Sequence, residues 1–314
     1  MAGRYFGTRH RVGLAGDGPR GFSDVLGTIT RRNEPAHDET NHDMTKRTVL
    51  TTGANGGLGL ATVVEMSRRG HRSVGTVRSE AKAEAVHRAA REAGVEVEVE
   101  LLDVTDAEAA EALIERAAPD VLVNNAGYML YSAVEEVSDE DARAILETMV
   151  IAPMRLARAS IAHMRDQRWG RIIQISSLSA RASFPLMGWY QGAKHALEGV
   201  SDALRLEVAG DGIAVILIEP GVFRSELSEQ FVDPAEHRGS RYENAYAQSR
   251  EIFSRMERFM TEPETVAKVI AKAADARAPR ARYPVGLDAQ LSILTSPFTP
   301  TGLRDIALRR SSGL

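Results

Sequence analysis

The sequence of 314 residues contains no cysteine, and this absence removes several kinds of chemistry at once. It excludes disulfides, thiolate nucleophiles and cysteine-ligated metals, and it fits a reducing compartment, so we expect a cytoplasmic protein. No apolar run approaches the roughly 18 residues that a spanning helix needs, and no signal-peptide pattern follows Met1. We therefore expect no membrane insertion.

An excess of charge of one sign is also missing. The chain has 39 basic and 43 acidic side chains, and a net charge of -4 is too balanced for a surface that binds nucleic acid or anionic membranes. Its eight histidines show no ligand spacing, so no metal site is expected. With 43 % apolar residues, the chain can bury a core, and the remaining partner class is a small molecule.

Regular structure is expected to begin only after residue 43. Residues 1–43 are rich in Gly, Arg, Asp and His and show neither helical nor strand periodicity, which is typical of a disordered leader or a non-native extension. Met44 is a candidate for the natural start. Residues 44–314 are predicted to form a single domain.

Short β-branched runs alternate with amphipathic segments throughout this domain. The predicted strands cover residues 48–51, 74–77, 95–102, 121–124, 171–176 and 214–218. The predicted helices cover residues 60–69, 79–93, 106–117, 139–165 and 190–209. Because crossovers of this length join parallel strands, the alternation predicts an α/β fold with one doubly wound parallel sheet and helices on both faces. Ligands of such sheets bind at the carboxyl ends of the strands.

A glycine-rich turn joins the first predicted strand to the first predicted helix. It reads Thr52-Gly53-Ala54-Asn55-Gly56-Gly57-Leu58-Gly59. The first glycine of the motif, Gly53, permits a sharp turn. Gly57 lets backbone N–H groups reach a pyrophosphate, and Gly59 lets the helix pack closely on the strand. An ordinary glycine-rich turn is the alternative, but the order of strand, turn and helix favours a dinucleotide site in a Rossmann-type sheet.

The ends of the next strands suggest which dinucleotide binds. Arg78 follows the second strand, where an NAD site usually carries a carboxylate, and its guanidinium could hold a 2′-phosphate. This favours NADP(H) over NAD(H), while a solvated arginine is the plain alternative. Asp103-Val104 ends the third strand and is expected at the adenine, and Asn125-Ala126-Gly127 ends the fourth with a turn suited to close cofactor approach.

A candidate proton-transfer pair begins the last long predicted helix. Tyr190 and Lys194 are four residues apart and project from one face of that helix. An ammonium beside a phenol, together with a positive nicotinamide ring, would lower the phenol pKa toward neutrality. The preceding strand ends at Ser176-Ser177, and Ser177 could there hydrogen-bond a substrate oxygen.

These motifs resemble the short-chain dehydrogenase/reductases, in the branch with the Thr-Gly-x-x-x-Gly-x-Gly spacing, over residues 46 to about 290. The resemblance implies that Ser177, Tyr190 and Lys194 are catalytic. It also implies that Pro220-Gly221-Val222 flanks the nicotinamide and that Ser225 bonds its carboxamide. A homodimer or homotetramer, formed through the long helices, is implied as well.

One position departs from the family pattern. The family commonly has Asn four residues before the proline that is Pro153 here, and this chain has Met149. A thioether cannot hold the water of a proton relay by its side chain. The backbone carbonyl of Met149 could do so instead, or the residue is simply a core residue stacked on Ile145.

Large apolar side chains flank these motifs and are expected to form the mouth of a substrate pocket, although each could equally pack in the core. They are Met129, Tyr131, Phe184, Leu186, Trp189 and Phe223. A substrate lid is expected over about 222–262, and a solvated or oligomer-facing helix over 303–314.

The sequence thus supports an NADP(H)-dependent oxidoreductase for a small, largely apolar ketone or secondary alcohol. The alternative is a catalytically weakened NADP(H)-binding sensor or scaffold protein, which Met149 motivates. A sugar-nucleotide epimerase or dehydratase ranks last, because its glycine spacing would differ.

Overall fold

The computed structural model describes residues 46–224, 238–256, 260–295 and 298–314, which belong to one structural unit. The expected leader over 1–43, the cofactor-site candidate Ser225 and part of the expected lid lie outside these residues. Within them, no helix is both long and apolar enough to cross a bilayer.

Seven parallel strands carry the fold, and six of them follow from the β-branched runs of the sequence. They are β1 (Thr48–Thr51), β2 (Arg72–Val77), β3 (Glu98–Leu101), β4 (Val121–Asn124), β5 (Gly170–Ile175), β6 (Ile213–Pro220) and β7 (Arg282–Val285). The order across the sheet is β3-β2-β1-β4-β5-β6-β7. Since β1 pairs with both β2 and β4, the strand order reverses beside β1, and the ligand crevice of a doubly wound sheet lies at that point.

Helices cover both faces of the sheet, as predicted. They are α1 (Gly57–Arg68), α2 (Glu80–Glu92), α3 (Ala107–Ala117), α4 (Asp139–Leu146), α5 (Ala152–Asp166), α6 (Gly188–Glu207), α7 (Glu243–Met256), α8 (Pro263–Asp275), α9 (Leu287–Thr295) and α10 (Thr301–Ser312). Alternate residues of each central strand therefore enter different cores. Leu50 and Leu122 pack with α3 and α5, whereas Val49 and Val123 pack with α1 and α8.

The long helix predicted over 139–165 is interrupted. A π-helical turn over Glu147–Ile151 separates α4 from α5, and the N–H of Ala152 donates to the carbonyl of Glu147, five residues earlier. Pro153 accounts for the change, because it has no N–H to offer the carbonyl four residues before it. Met149 lies in this turn, so the helix is distorted where the chain departs from the family pattern.

The C-terminal part of the sheet was not predicted. β7 is a four-residue strand with Pro284 inside it, and among the described residues it pairs with β6 alone, which makes it an edge strand. A proline is tolerated at an edge because one side of the strand needs no donor. Helix α8, which begins with Pro263, packs against α1 on one face of the sheet. Together they bring residues near 280 behind the ligand crevice.

Candidate active site

The glycine turn after β1 is locked to the turn after β4. Gly53 has a φ of +69°, and a Cβ there would lie 3.0 Å from the Cα of Ala126. Asn125 donates from Nδ2 to the carbonyls of Thr52 at 2.9 Å and Gly53 at 3.1 Å. In return the Thr52 hydroxyl accepts from the backbone N–H groups of Asn125 and Ala126. The two turns therefore hold each other's backbone in place.

Helix α1 begins inside the glycine motif, three residues earlier than predicted. Its first residue is Gly57, which has a φ of +49°. A Cβ on Gly59 would overlap the carbonyl oxygen of Gly53, so a larger residue would push the helix off the turn. The positive end of the helix is thereby kept at the carboxyl end of β1, where an anion binds favourably.

A cavity of about 1190 Å³ opens at this edge of the sheet. The predicted cofactor and catalytic residues that line it are Gly53, Asn55, Gly57, Leu58, Gly59, Arg78, Asp103, Val104, Asn125, Ala126, Gly127, Ser177, Tyr190, Lys194, Pro220, Gly221 and Val222. Residues from six strand ends thus meet around one space, which exceeds the usual size of a site for one drug-sized ligand, about 300–1,000 Å³.

One end of the cavity is cationic. Arg78, from the end of β2, lines it together with Lys82 from the first turns of α2, a residue that sequence reasoning missed. Asp103 lies near Arg78. Hydrogen bonds from Thr105 lower the pKa of that carboxyl, and the charge of Arg78 adds to the effect. The two cations could hold a phosphate, and the ionised Asp103 could accept from a hydroxyl or an amine.

The catalytic candidates meet on the opposite side of the glycine turn. Ser177 follows β5, and its side chain accepts from the N–H of Ser179 at 3.1 Å. Helix α6 begins at Gly188, so Tyr190 lies in its first turn and Lys194 in the next. The hydroxyl of Ser177 lies close enough to the phenol of Tyr190 to affect its pKa. The three side chains therefore lie within one short stretch of the cavity wall.

Lys194 is buried and donates from Nζ to the carbonyl of Ile175 at 2.6 Å. Its Nζ lies 5.8 Å from the centroid of the Tyr190 ring. Burial lowers the pKa of Lys194 to about 8, against the opposing charge of Glu198. A lysine with this pKa exchanges protons near neutral pH.

Burial also controls the proton affinity of the phenol. Burial raises the pKa of Tyr190, and the neighbouring hydroxyl of Ser177 lowers it only in part. The ammonium of Lys194 was expected to help lower this pKa. Within the chain, burial is the largest influence on this pKa, and the net shift is upward. In the chain alone, Tyr190 is therefore a protonated donor.

Met149 is buried in one cluster with Ile145 and Ala193. A Cβ on Gly127 would lie 3.4 Å from its Cε, so the thioether packs under the turn that follows β4. The expected stacking on Ile145 is thus observed, although through a π-helical turn. The preceding residue, Thr148, also lines the cavity, and its side chain carries a hydroxyl.

The expected pocket mouth is corrected at two positions. Met129, Tyr131, Phe184 and Phe223 line the cavity. In contrast, Leu186 is buried in a cluster with Ala133 and Tyr246. Trp189 packs with Met149. Of the apolar residues before Tyr190, some face the cavity and others face the core. Their apolar character alone could not show which of them line the pocket.

Three helices from the C-terminal third complete the cavity. Their lining residues are Ser249 and Ile252 of α7, Asp288 and Ser292 of α9, and Leu308, Ser311 and Ser312 of α10. Helix α10 was expected to face solvent or a partner, and one of its faces instead covers the cavity. Asp288 also accepts from the N–H of Val222 at 2.7 Å, which fixes the Pro220-Gly221-Val222 segment. No motif in the sequence marks these residues.

The expected lid is partly described. Its two ends are joined, because the N–H of Arg224 donates to the carbonyl of Thr261 at 3.0 Å. Between them, α7 is anchored by the buried Tyr246, whose hydroxyl accepts from the N–H of Ala133 at 2.9 Å and donates to Glu136 at 2.7 Å. This part of the segment is a fixed wall of the cavity, whereas residues 225–237 and 257–259 lie outside the described part.

Comparison with known proteins gives this arrangement a family. The sequence model of the family described as short chain dehydrogenase matches residues 47–236. An uncharacterized oxidoreductase of Bacillus subtilis, YusZ, is 30 % identical over 279 residues, which cover 85 % of this chain and 99 % of that protein. A 3-ketodihydrosphingosine reductase of Bacteroides thetaiotaomicron is also 30 % identical, covering 85 % of this chain and 98 % of that protein. Among solved structures, a metagenomic short-chain oxidoreductase in complex with NADP is 25 % identical with a TM-score of 0.62, covering 77 % of this chain and 98 % of the other.

Proposed function

This chain belongs to the short-chain dehydrogenase family of oxidoreductases, and we propose that it reduces a small, largely apolar ketone with NADPH, or oxidises the corresponding secondary alcohol with NADP⁺. The observation that carries the proposal is the meeting of Ser177, Tyr190 and Lys194 in the wall of one cavity, whose other end is formed by the glycine turn.

The chain's own residues fit a dinucleotide. Gly53, Gly57 and Gly59 keep side chains away from the first turn of α1, so a pyrophosphate can approach the backbone. Arg78 and Lys82 would bind a 2′-phosphate, which supports NADP(H) rather than NAD(H). When bound, the nicotinamide would supply or accept the hydride. The solved relative that holds NADP adds support for the phosphorylated cofactor.

In the proposed reduction, Ser177 and Tyr190 donate hydrogen bonds to the carbonyl oxygen. As the carbonyl carbon receives the hydride, the phenol of Tyr190 gives its proton to that oxygen, and the product is the alcohol. The raised pKa of Tyr190 keeps the proton on the phenol at neutral pH, which suits reduction. Lys194 would hold the ribose hydroxyls and return a proton to Tyr190, and in oxidation the transfers reverse.

The lining of the substrate part supports an apolar substrate. Its side chains are mostly uncharged and include Met129, Phe184, Phe223, Ile252 and Leu308. Asp288 is the acidic exception, and its carboxylate is occupied by the N–H of Val222. A carbonyl compound with one apolar substituent fits this composition. The similarity to the 3-ketodihydrosphingosine reductase of Bacteroides thetaiotaomicron also supports a keto substrate.

We also propose a homodimer or homotetramer formed through the long helices. Apolar side chains are exposed there, with 50 % of Ile151, 45 % of Val200 and 71 % of Leu206 accessible. Pairing of these surfaces would bury them. A cytoplasmic location stays a prediction from the absence of cysteine.

A panel of ketones tests the proposal. Consumption of NADPH is followed with aliphatic, aryl and charged ketones, and the same panel is repeated with NADH. We expect turnover of apolar ketones with NADPH and weak turnover with NADH. Equal rates with both cofactors would refute the NADP(H) assignment.

A second candidate function is favoured by Met149. If the buried thioether breaks proton supply to Lys194, the chain would bind NADP(H) as a sensor or scaffold with little turnover. Tight NADPH binding without reduction of any ketone in the panel would select this candidate. Recovery of turnover in Met149→Asn would then identify the thioether as the cause.

A further inference from the structure

Behind the cavity, two buried carboxylates share one guanidinium. Glu198 of α6 and Glu219 of β6 have side chains that are 6 % and 2 % exposed. Nη1 of Arg282, on β7, lies 2.6 Å from an oxygen of each. Buried carboxylates are costly unless they are paired and hydrogen-bonded. The pair is therefore held in place by a residue from the edge strand.

Other charged groups complete this cluster. Arg181 lies 3.1 Å from Glu198 and 3.5 Å from Glu219, and Asp202 accepts from Nη2 of Arg282 at 2.6 Å. Burial, followed by the charge of Glu198, raises the pKa of Glu219. The surrounding carboxylates raise the pKa of Arg282 further above its ordinary value, against burial. Arg282 is thus always charged, and it lies between the two buried carboxyl groups.

Glu198 also reaches the end of β5. The buried hydroxyl of Ser176 donates to Glu198 at 2.6 Å, and Ser176 directly precedes Ser177. One turn earlier on the same helix, Lys194 donates to the carbonyl of Ile175. Two successive turns of α6 therefore hydrogen-bond two successive residues at the end of β5, the last strand residue Ile175 and the following Ser176.

These two hydrogen bonds bear on the distance between the hydroxyls of Ser177 and Tyr190, which face the substrate in the proposed reaction. Ser177 continues from the strand end, and Tyr190 lies on α6. If the Glu198 contact is lost, the strand end keeps the Lys194 contact but loses the second hydrogen bond to the helix. A displacement of about 1 Å can then cost on the order of a hundredfold in rate.

We propose that Glu198 is a positioning residue for the proposed reaction. Through Ser176 it holds Ser177 against the helix that carries Tyr190. The inference rests on the proposed function, because it concerns the alignment of those two hydroxyls.

Two variants test the proposal, one at each partner of the hydrogen bond between Ser176 and Glu198. Glu198→Gln keeps the shape but leaves a single acceptor oxygen, which the Arg282 guanidinium takes, so an NH2 group that cannot accept a hydrogen bond faces the Ser176 hydroxyl. Ser176→Ala removes only the donor and leaves no unpaired charge, so it folds even if Glu198→Gln does not. Glu207→Gln, an exposed carboxylate at the end of the same helix, is the matched control.

We expect both variants to lower kcat by about tenfold or more, with NADPH affinity within about twofold of the parent and the control unchanged. The pH profiles should differ between them. Glu198 raises the pKa of Lys194, so its neutralisation moves that pKa below about 8 and shifts the basic limb to lower pH. Ser176→Ala should leave the limb in place.

A readout without turnover separates this inference from the proposed function. The N–H of Ser176 donates to the carbonyl of Ile218 at 2.8 Å, and its hydrogen exchange should be about fivefold faster or more in both variants. If the parent reduces no carbonyl, the proposed function fails and this exchange rate decides on Glu198. Parent-like kcat or parent-like exchange in both variants would overturn the proposal and leave Glu198 a purely structural residue.

Discussion

One side of the cavity is lined by the ends of strands and the turns that follow them. The other side is lined by helices from the C-terminal third of the chain. We call residues 53–59, 76–78, 103–105 and 125–127 the glycine side, and the lining residues of α7, α9 and α10 the helix side. The glycine side is fixed by backbone geometry, with positive φ angles and interlocked turns. The helix side is formed by side chains.

This difference teaches where the molecule tolerates change. A backbone cradle cannot accept even a methyl group without moving strand or helix, so its binding partner is fixed. A wall of side chains can be repacked, so its partner can vary. The glycine side therefore accounts for the shared cofactor of the family, and the helix side for the substrate of this chain.

Gly59→Ala should give the largest effect, because the new Cβ overlaps the carbonyl oxygen of Gly53. We expect a loss of stability of about 3 kcal/mol and loss of NADPH binding, measured by urea unfolding and fluorescence titration. The matched control is Gly199→Ala on α6, where a Cβ meets nothing within 4 Å. That control should be stabilised by about 0.5–1 kcal/mol. Unchanged NADPH binding in Gly59→Ala would show that the glycine side is not a tight cradle.

Lys194→Met should stabilise the chain while abolishing activity. The pKa of Lys194 is about 8 in the folded chain and 10.5 ordinarily, so the unfolded chain binds more protons between those pH values and parent stability rises with pH there. The variant should be more stable at pH 7 by up to about 3 kcal/mol, less about 1 kcal/mol for the lost hydrogen bond.

The advantage of Lys194→Met should shrink above pH 8 and vanish above the ordinary lysine pKa, in unfolding curves taken across that window. Lys272→Met, at an exposed position of α8, should show no such pH dependence. A variant less stable than the parent at pH 7 would mean that Lys194 is not desolvated.

Arg78→Ala tests whether the glycine side binds the 2′-phosphate of NADPH through this arginine. It should weaken NADPH binding by about tenfold to a hundredfold and leave NADH binding unchanged, because only the 2′-phosphate loses a partner. Lys82→Ala should give a smaller loss of the same kind. Arg88→Ala, exposed on the same helix as Lys82, is the control. Equal losses for both cofactors would place Arg78 elsewhere on the nucleotide.

Leu308→Ala tests the helix side and should have the smallest effect. We expect KM for an apolar ketone to rise by a few fold, roughly the worth of one or two buried methylene groups, with NADPH affinity unchanged. Leu303→Ala, on the same helix but 64 % exposed, should leave KM unchanged. A change in NADPH affinity in Leu308→Ala would contradict the division into two sides.

The two sides also differ in how far the sequence could predict them. The sequence identifies the glycine side because its residues each follow a predicted strand within a few positions, as do Gly53, Gly57, Arg78 and Asn125. The alternation of strands and helices likewise predicted the fold, which the structure confirms. Pairs such as Tyr190 and Lys194 are likewise local. Contacts of this kind depend on spacing that can be read along the chain.

The helix side could not be predicted because its contacts are long-range. Leu308 lines the same cavity as Gly53, although 255 positions separate them in the numbering of the chain. Arg282 reaches Glu198 only because an edge strand with a proline completes the sheet. Leu186 and Trp189 failed as pocket residues for the related reason that apolar side chains beside a catalytic helix fill the core as readily as the cavity.

Tyr190→Phe tests the central claim most directly, because it removes one hydroxyl and keeps the ring packed. The measurement is the rate of the hydride step in single turnovers with bound NADPH and an apolar ketone, with NADPH affinity measured alongside. We predict a fall in rate of about a hundredfold or more with affinity within about twofold of the parent. A parent-like rate would contradict the assignment of Tyr190 as the proton donor.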